Sequence, residues 1–393
     1  MLNIKLIPAE YGDCILISID GKKNFNILVD GGTSKTYKEF IKKEIENIEN
    51  LGQKLDLIIC THIDYDHIGG LTQLLINTDS KNIGSVWYNG FLQVINSKYY
   101  IKPENKYSFR DNKILDDIIS KGTQYDGRQE IGINQGISLG VLLEEKKISV
   151  NSIVCGKTIS TEFVDKPVKI SEDTELYIIG PAKEKIKELE NYWVQEMIAR
   201  NYMFRVSNKL KLMEAFEYYL EAIKSFYKEE EIKVSRLEEL EKYFGNLDEV
   251  DHSVTNRSSI SFILNHKKNN YLFLGDTNID EIILKNIENV VGYKYKFKAI
   301  KFPHHGSRYN ITHEFIKRYK AEEYYCLTNS ERFGHPDLEV ISAVICNDSS
   351  FKRIFFNYPI YKANVINNKD WKDKYNYDIV IGNGKSPIER NFE

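Results

Sequence analysis

The stretch Thr61-His62-Ile63-Asp64-Tyr65-Asp66-His67-Ile68-Gly69-Gly70 decides how the rest of the chain is read. It follows Leu55 to Cys60 (Leu-Asp-Leu-Ile-Ile-Cys), an apolar run whose length predicts a buried strand. A strand that ends in His-x-Asp-x-Asp-His and then Gly-Gly gathers imidazoles and carboxylates at one edge of a sheet. His62, Asp64, Asp66 and His67 fall within six positions, in a chain with only eight histidines among 393 residues. A polar turn with histidines placed by chance would not concentrate them so. Neutral imidazole and ionised carboxylate suit Zn, Mn or Fe, and a cluster this dense has room for two ions. The segment reads as a metal site.

Composition neither opposes nor refines that reading. The chain is 42% hydrophobic and 28% charged, ordinary for a globular protein with a sizeable core. A net charge of −3 gives no global attraction to nucleic acid. Met1 to Ile7 resembles a first strand rather than a signal peptide, and no stretch approaches the roughly eighteen apolar residues that span a bilayer. No membrane role is expected. The five cysteines (Cys14, Cys60, Cys155, Cys326, Cys346) are scattered and mostly inside apolar runs, the pattern of reduced thiols in a cytoplasmic protein.

Strands and helices alternate through the first 90 residues. Leu2–Ile7, Ile15–Ile19, Phe25–Val29, Leu55–Cys60 and Gly84–Tyr88 are expected strands. Thr36–Asn50 is an expected helix, and Leu71–Ile76 opens another behind the metal turn. Residues 91 to about 173 are punctuated by Gly and Asn, and Ser138–Leu143 fits either a helix or a strand. From Ala182 to about residue 250, apolar residues at three- and four-residue spacing (Ile186, Leu189, Trp193, Met197; Leu212, Phe216, Leu220) predict a helical insertion. It suits a substrate lid, a surface for a protein partner or a packing element. Beyond Asp251 the rhythm resumes with strands at Ile260–Leu264, Tyr271–Leu274, Lys298–Phe302 and Tyr324–Leu327. Helices are expected near Asp280–Asn286, His313–Tyr319 and Leu338–Cys346. His266 and His313 read as surface residues.

Further motifs follow in order: Tyr11-Gly12-Asp13-Cys14, Ile27-Leu28-Val29-Asp30-Gly31-Gly32, Gly275-Asp276-Thr277, Lys301-Phe302-Pro303-His304-His305-Gly306-Ser307 and Phe333-Gly334-His335-Pro336. Together with the metal stretch, these resemble the metallo-β-lactamase fold superfamily. Asp64 stands where that family usually has its second His. The variant is similar to the hydrolase domain of bacterial competence DNA-uptake channels and to stand-alone proteins encoded beside antiphage defence genes. The resemblance implies one α/β domain over 1–393, a four-layered αββα sandwich with the helical subdomain 182–250 inserted.

For the site, the resemblance implies that His62 and Asp64 face one ion and that Asp66 and His67 face the other. Asp276 bridges the two, and His335 closes the second ion's shell. His304 and His305 are ligands or, for one of them, the proton donor to the leaving group. Asp30 supports the ligands from behind. Where a full first site has a His before the Gly-Asp segment, this chain reads His252-Ser253-Val254-Thr255-Asn256-Arg257-Ser258-Ser259, which resembles the branch's Asn-x-x-Ser. The first site is thus oxygen-rich, which adds Mn²⁺ and Mg²⁺ to Zn²⁺ as expected ions.

Two adjacent cations activate water and stabilise charge on the attacked group, with Asp66 orienting the water or taking its proton. Phosphodiesters suit such a pair because two non-bridging oxygens span it. The expectation is therefore a phosphodiesterase or nuclease acting on nucleic acid or a nucleotide. Hydrolysis of a non-phosphate ester, lactone or amide stays open, as does an inactive metal-bound sensing scaffold. Iron-dependent electron transfer would need a flavin domain, which the residues after 336 do not suggest.

Overall fold

The computed structural model describes residues 1–95, 109–125, 138–202, 204, 208–224, 240, 245, 247 and 249–393. Its strands are β1 (Leu2–Leu6), β2 (Ile15–Ile19), β3 (Phe25–Val29), β4 (Leu55–Ile59), β5 (Ile83–Trp87), β6 (Val168–Ser171), β7 (Thr174–Gly180), β8 (Ser261–His266), β9 (Asn269–Phe273), β10 (Tyr295–Lys301), β11 (Tyr319–Cys326), β12 (Lys352–Phe356), β13 (Tyr377–Ile381) and β14 (Ile388–Phe392). They form a six-stranded sheet in the order β14-β1-β2-β3-β4-β5 and an eight-stranded sheet in the order β13-β12-β11-β10-β9-β8-β7-β6. Both sheets are mixed. In the first, β3, β4 and β5 run parallel while β14, β1, β2 and β3 pair antiparallel. In the second, β9 to β13 run parallel and β6 to β9 antiparallel.

Period-2 alternation makes a sandwich of these sheets, because side chains leave a strand on alternate faces. Ile4, Ile17, Ile27, Val29, Leu57, Ile59 and Trp87 of the first sheet meet Leu176, Phe262, Leu264, Tyr271, Phe273 and Tyr325 of the second in one buried cluster. Their neighbours in sequence point the other way. Leu16, Leu28 and Ile58 pack under Ile41, Ile45, Leu71 and Leu74 from covering helices. Ile263, Leu272, Ile300 and Ile354 pack under Ile283, Ile287, Phe315, Ile341 and Val344. Helix, sheet, sheet, helix: this is the four-layered αββα arrangement expected from sequence.

Several elements differ from expectation. The expected helix over 36–50 is three pieces, Ser34–Thr36, a π-turn at Tyr37–Ile41 and Lys42–Asn50. The helix expected to open at Leu71 begins at Tyr65, so Asp66 and His67 lie in its first turn. Ser138–Leu143 resolves as the helix Leu139–Glu145, whose first turn the Ser138 hydroxyl caps by accepting from Val141 N. His266 is not a surface residue: it is buried, with Nδ1 2.8 Å from Thr174 Oγ1 across the β7–β8 pair. His313 is half-buried, its Nε2 3.1 Å from Gly245 O.

The segment 182–250 contributes helices Lys183–Ala199 and Lys209–Lys224; most of 225–248 lies outside the described residues. Leu189, Trp193, Met197, Leu212, Phe216 and Leu220 join the same buried cluster as Leu71 and Phe91, so these helices are built into the outer core of the first sheet. Among the described residues no helix is long and apolar enough to cross a membrane.

The helix Tyr65–Asn77 is seated by close backbone contact at Gly70. A Cβ on Gly70 would lie 1.9 Å from Gly31 O, which explains a glycine inside a helix despite its propensity cost. Gly70→Ala is expected to lower the unfolding free energy by about 1–3 kcal/mol, the usual cost of overpacking. Urea denaturation measures it; an unchanged midpoint would show that this helix is not seated by that contact.

Candidate metal centre

Asp64 occupies the N-cap position of the helix Tyr65–Asn77, where an Asp ordinarily accepts hydrogen bonds from the first backbone N–H groups. Its backbone carbonyl does accept from His67 N (2.9 Å) and Ile68 N (3.0 Å), but its side chain makes no cap bond. The carboxylate turns instead to His62, with Oδ2 3.2 Å from Nε2. The vacated capping role passes to Glu221 of the helix Lys209–Lys224, whose Oε2 accepts from Tyr65 N at 2.7 Å.

Four imidazoles converge on one oxygen. Asp276 Oδ2 lies 3.8 Å from His62 Nε2, 3.4 Å from His67 Nε2, 3.7 Å from His304 Nε2 and 3.8 Å from His305 Nε2. Asp66 Oδ2 lies 3.9 Å from His67 Nε2 and 3.8 Å from His305 Nε2. The donors therefore fall into two sets that share Asp276: His62 with Asp64 on one side, and Asp66, His67 and His305 on the other.

Each ring is held by its Nδ1. His67 donates to Asp30 Oδ2 (2.9 Å) and His305 to Leu327 O (2.7 Å). Asn310 spends its amide N–H groups on Asp251 Oδ2 and Asp276 O, so its Oδ1 accepts from His304 Nδ1 at 2.9 Å. Thr61 Oγ1 donates to Asp30 Oδ2, so it accepts from His62 Nδ1 at 3.1 Å. A neutral imidazole with its proton fixed on Nδ1 presents a lone pair at Nε2, the form that binds a metal. Among the described residues, Nε2 of His62, His67 and His305 and both carboxylate oxygens of Asp276 are buried without a hydrogen bond. Buried polar atoms are rarely left so, and a divalent cation satisfies this set. The residues fit a metal centre.

The charges follow the geometry. Burial pushes His67 down, but the carboxylates of Asp276 and Asp30 outweigh it and hold the ring well above its ordinary value. Burial likewise opposes His305, which Asp13 and Asp276 raise. Burial pushes Asp276 up, and His67, His304 and His305 bring it well below the usual carboxylate range. His335 goes the opposite way: burial and the cations around it hold its ring neutral.

Asp13 also stands near, since its carboxylate, His67, Asp276 and His305 offer ligand atoms within 4.8 Å of one another. It is, however, ion-paired with buried Lys301 and faces Nδ1 of His305 at 3.2 Å. It backs the imidazole rather than the cavity. Lys301 adds a hydrogen bond to Gly275 O and stands 3.7 Å from Asp276 Oδ1, setting a fixed positive charge behind the shared carboxylate.

The eight residues expected at the metal centre are all buried, and His62, Asp64, Asp66, His67, Asp276, His304 and His305 gather at this point. His335 lies edge-on to His304, ring centroids 5.0 Å apart, and stacks on Phe333; the imidazole set against Asp66 and His67 is that of His305. Asp30 is where the motif implied, behind His67. His252 is exposed, and Asn256 donates to Asp251 at 2.7 Å. Arg308, beside the His pair, is engaged by Glu339 and Tyr309. Sequence reasoning passed over Glu221, Arg332, Asp251 and Asn310. Asp251 is opposed by burial, yet hydrogen bonding and charge from His304 bring it down to about 2.

Residues 7–85 match the Metallo-beta-lactamase superfamily. The matched segment runs from the loop after β1 into β5, and the two-sheet sandwich continues beyond it. A comparison with curated proteins gave no match. Among solved structures, the metallo-beta-lactamase fold protein YhfI from Bacillus subtilis is similar at 9% identity and a TM-score of 0.37, over 99% of this chain and 99% of that one. Zn(2+)-bound PqqB from Methylobacterium extorquens is similar at 8% identity and a TM-score of 0.39, over 99% of this chain and 100% of that one. A long form RNase Z from yeast is similar at 8% and 0.33, over 91% of this chain and 36% of that one. Likeness at this level carries no functional argument.

Two measurements check the centre. Asp30→Asn keeps the side chain's shape and removes its charge; metal affinity is expected to fall about 10- to 100-fold with the fold intact, read by competition with a chelator. Equal affinity would remove Asp30 from its supporting role. Because His67 and His305 are held protonated without metal, loading should release about one or two protons per chain and weaken as pH falls. Calorimetry in buffers of different ionisation enthalpy detects this, and a buffer-independent heat would contradict it.

Proposed function

We propose that the protein is a metal-dependent hydrolase of phosphodiesters, acting on nucleic acid or a nucleotide. One observation carries the reading: two donor sets share the Asp276 carboxylate, with four imidazoles fixed by Nδ1 and turned toward it by Nε2. In this reading His62 and Asp64 hold one ion, and Asp66, His67 and His305 the other. Asp276 spans both. His335, buried and neutral beside His304, completes the donor set. The oxygen-rich first set suits Mn²⁺ or Mg²⁺ as well as Zn²⁺.

Divalent ions bound here supply Lewis acidity, making water a stronger acid and offsetting negative charge on the phosphoryl group. The chain's own residues do the rest. Asp66 orients the attacking water and takes its proton. His304 is the proton donor to the leaving oxygen. Its side chain is 7% exposed where those of His62 and His67 are fully buried, and Asp251 Oδ2 stands 3.6 Å from its Nδ1 to favour the imidazolium. Asn310 keeps that ring aimed.

The test is hydrolysis of a chromogenic phosphodiester with Mn²⁺, Zn²⁺, Mg²⁺ or chelator, beside Asp66→Ala. Turnover is expected with metal, absent with chelator, and reduced by about two to four orders of magnitude in the variant, the range for a lost general base. Metal-loaded protein inert toward phosphodiesters but active on a carboxylic ester would replace this substrate class.

A further inference from the structure

We propose that Arg332 is the anion-receiving residue of this site: its guanidinium takes a phosphoryl oxygen of the substrate and gives the enzyme its preference for phosphate esters over neutral ones. The inference rests on the phosphodiester reading above and deepens it.

Arg332 lies three residues before His335, in the loop that follows β11. Its side chain is 25% exposed, so an incoming ligand can reach it. It is framed by two rings, Tyr11 at 5.0 Å and Phe333 at 5.1 Å from the guanidinium carbon. Both rings belong to the metal centre's wall. Phe333 stacks on His335 (centroids 6.1 Å, 28°) and meets His304 edge-on at 6.2 Å. Tyr11 precedes Gly12, which rides so close to the metal helix that a Cβ there would lie 1.8 Å from Asp66 O. The cation therefore sits at the open side of the cavity, one ring away from the proposed proton donor.

Its partners leave room for a ligand. Glu221 Oε1 is 3.7 Å away, an ion-pair distance too long for a hydrogen bond. That carboxylate is buried, and its other oxygen is fixed on Tyr65 N, so it holds the arginine from behind. Burial works against the charge on Arg332, while Asp66, Glu221 and the Tyr11 hydroxyl, which takes a hydrogen bond from the guanidinium, support it; the remaining N–H donors of the fork are the ones a ligand would meet. Two nearby arginines are spent elsewhere: Arg308 on Glu339 and Tyr309, Arg257 on Glu188 at 2.9 Å. A guanidinium offers five N–H donors in a planar, delocalised fork that matches two oxygens of a phosphate, and contact with the rings of Tyr11 and Phe333 orients it. A neutral ester has no anionic oxygen for that fork, which makes Arg332 a specificity residue rather than a general one.

The experiment uses the full chain loaded with metal, as wild type, Arg332→Ala, Arg332→Gln and Arg332→Lys, with metal content measured for each. Two readouts are taken: the ratio of kcat/KM for bis(p-nitrophenyl) phosphate to that for p-nitrophenyl acetate, and calorimetric binding of inorganic phosphate. Removing the guanidinium is expected to lower the ratio by at least about tenfold, chiefly through the KM of the diester, and to weaken phosphate binding by a similar factor. Arg332→Lys recovers part of both. An unchanged ratio and unchanged phosphate binding, with diester turnover intact, overturns the role of Arg332 and leaves the phosphodiesterase reading standing. Absence of diester turnover in wild type overturns that reading instead. Phosphate binding lost in Arg332→Ala then still supports an anion site, and phosphate binding retained rejects it. Should the alanine variant fail to fold, Arg332→Gln is read by the same criteria.

Discussion

Asp276 Oδ2, buried with imidazole nitrogens of His62, His67, His304 and His305 all within 3.8 Å, is the point on which the two halves of the molecule are aligned. A buried carboxylate is costly unless it is paired, and its partners come from both sheets. His62 and His67 follow β4 of the first sheet; Asp276 itself follows β9, and His304 and His305 follow β10 of the second. The seam is reinforced where Ile260 N donates to Thr61 O (2.8 Å), and within the second half His304 N donates to Gly275 O (3.1 Å). Sliding one sheet against the other would separate these charges from their partners, so the relative position of the sheets and the electrostatics of the cavity are one constraint.

Holding the rings in place requires backbone conformations that L-residues avoid. Asp30, His304 and His305 have φ of 54°, 44° and 56°. Left-handed conformations of non-glycine residues cost on the order of 1–3 kcal/mol each and persist where their surroundings over-determine them. Here the surroundings are visible. Asp30 binds Thr61 N, Thr61 Oγ1 and His67; His304 is fixed by Asn310, and His305 by Leu327 O. The strain sits on the residues that aim lone pairs, as expected where positioning outranks local comfort.

Much of this was legible from the chain. The apolar run Leu55–Cys60 marked β4 as a strand buried on both faces, and the His62–His67 motif stood out because it follows that strand. What escaped was of two kinds. Residues that support others from a distance, such as Asn310, Asp251 and Glu221, belong to no local pattern; they matter because the fold brings them beside a histidine or a helix end. Positions ruled by backbone contact were also misjudged. Gly69 and Gly70 looked like the end of a turn, although the helix runs through them because Gly70 faces Gly31 O. His266 sits beside a polar turn and yet is buried, since its neighbour across the sheet, Thr174, is covered too.

Glu221 reaches Tyr65 across 156 positions of sequence, and that separation orders events during synthesis. When residues 61–70 leave the ribosome they carry Asp64, whose carboxylate in the folded chain turns from the helix end to His62. The carboxylate that replaces it at the helix end is still untranslated, and so are Asp276, His304 and His305. The segment from His62 to His67 is therefore made well before the residues that complete its surroundings. The full donor set exists only once the chain has passed His304 and His305 of the second sheet.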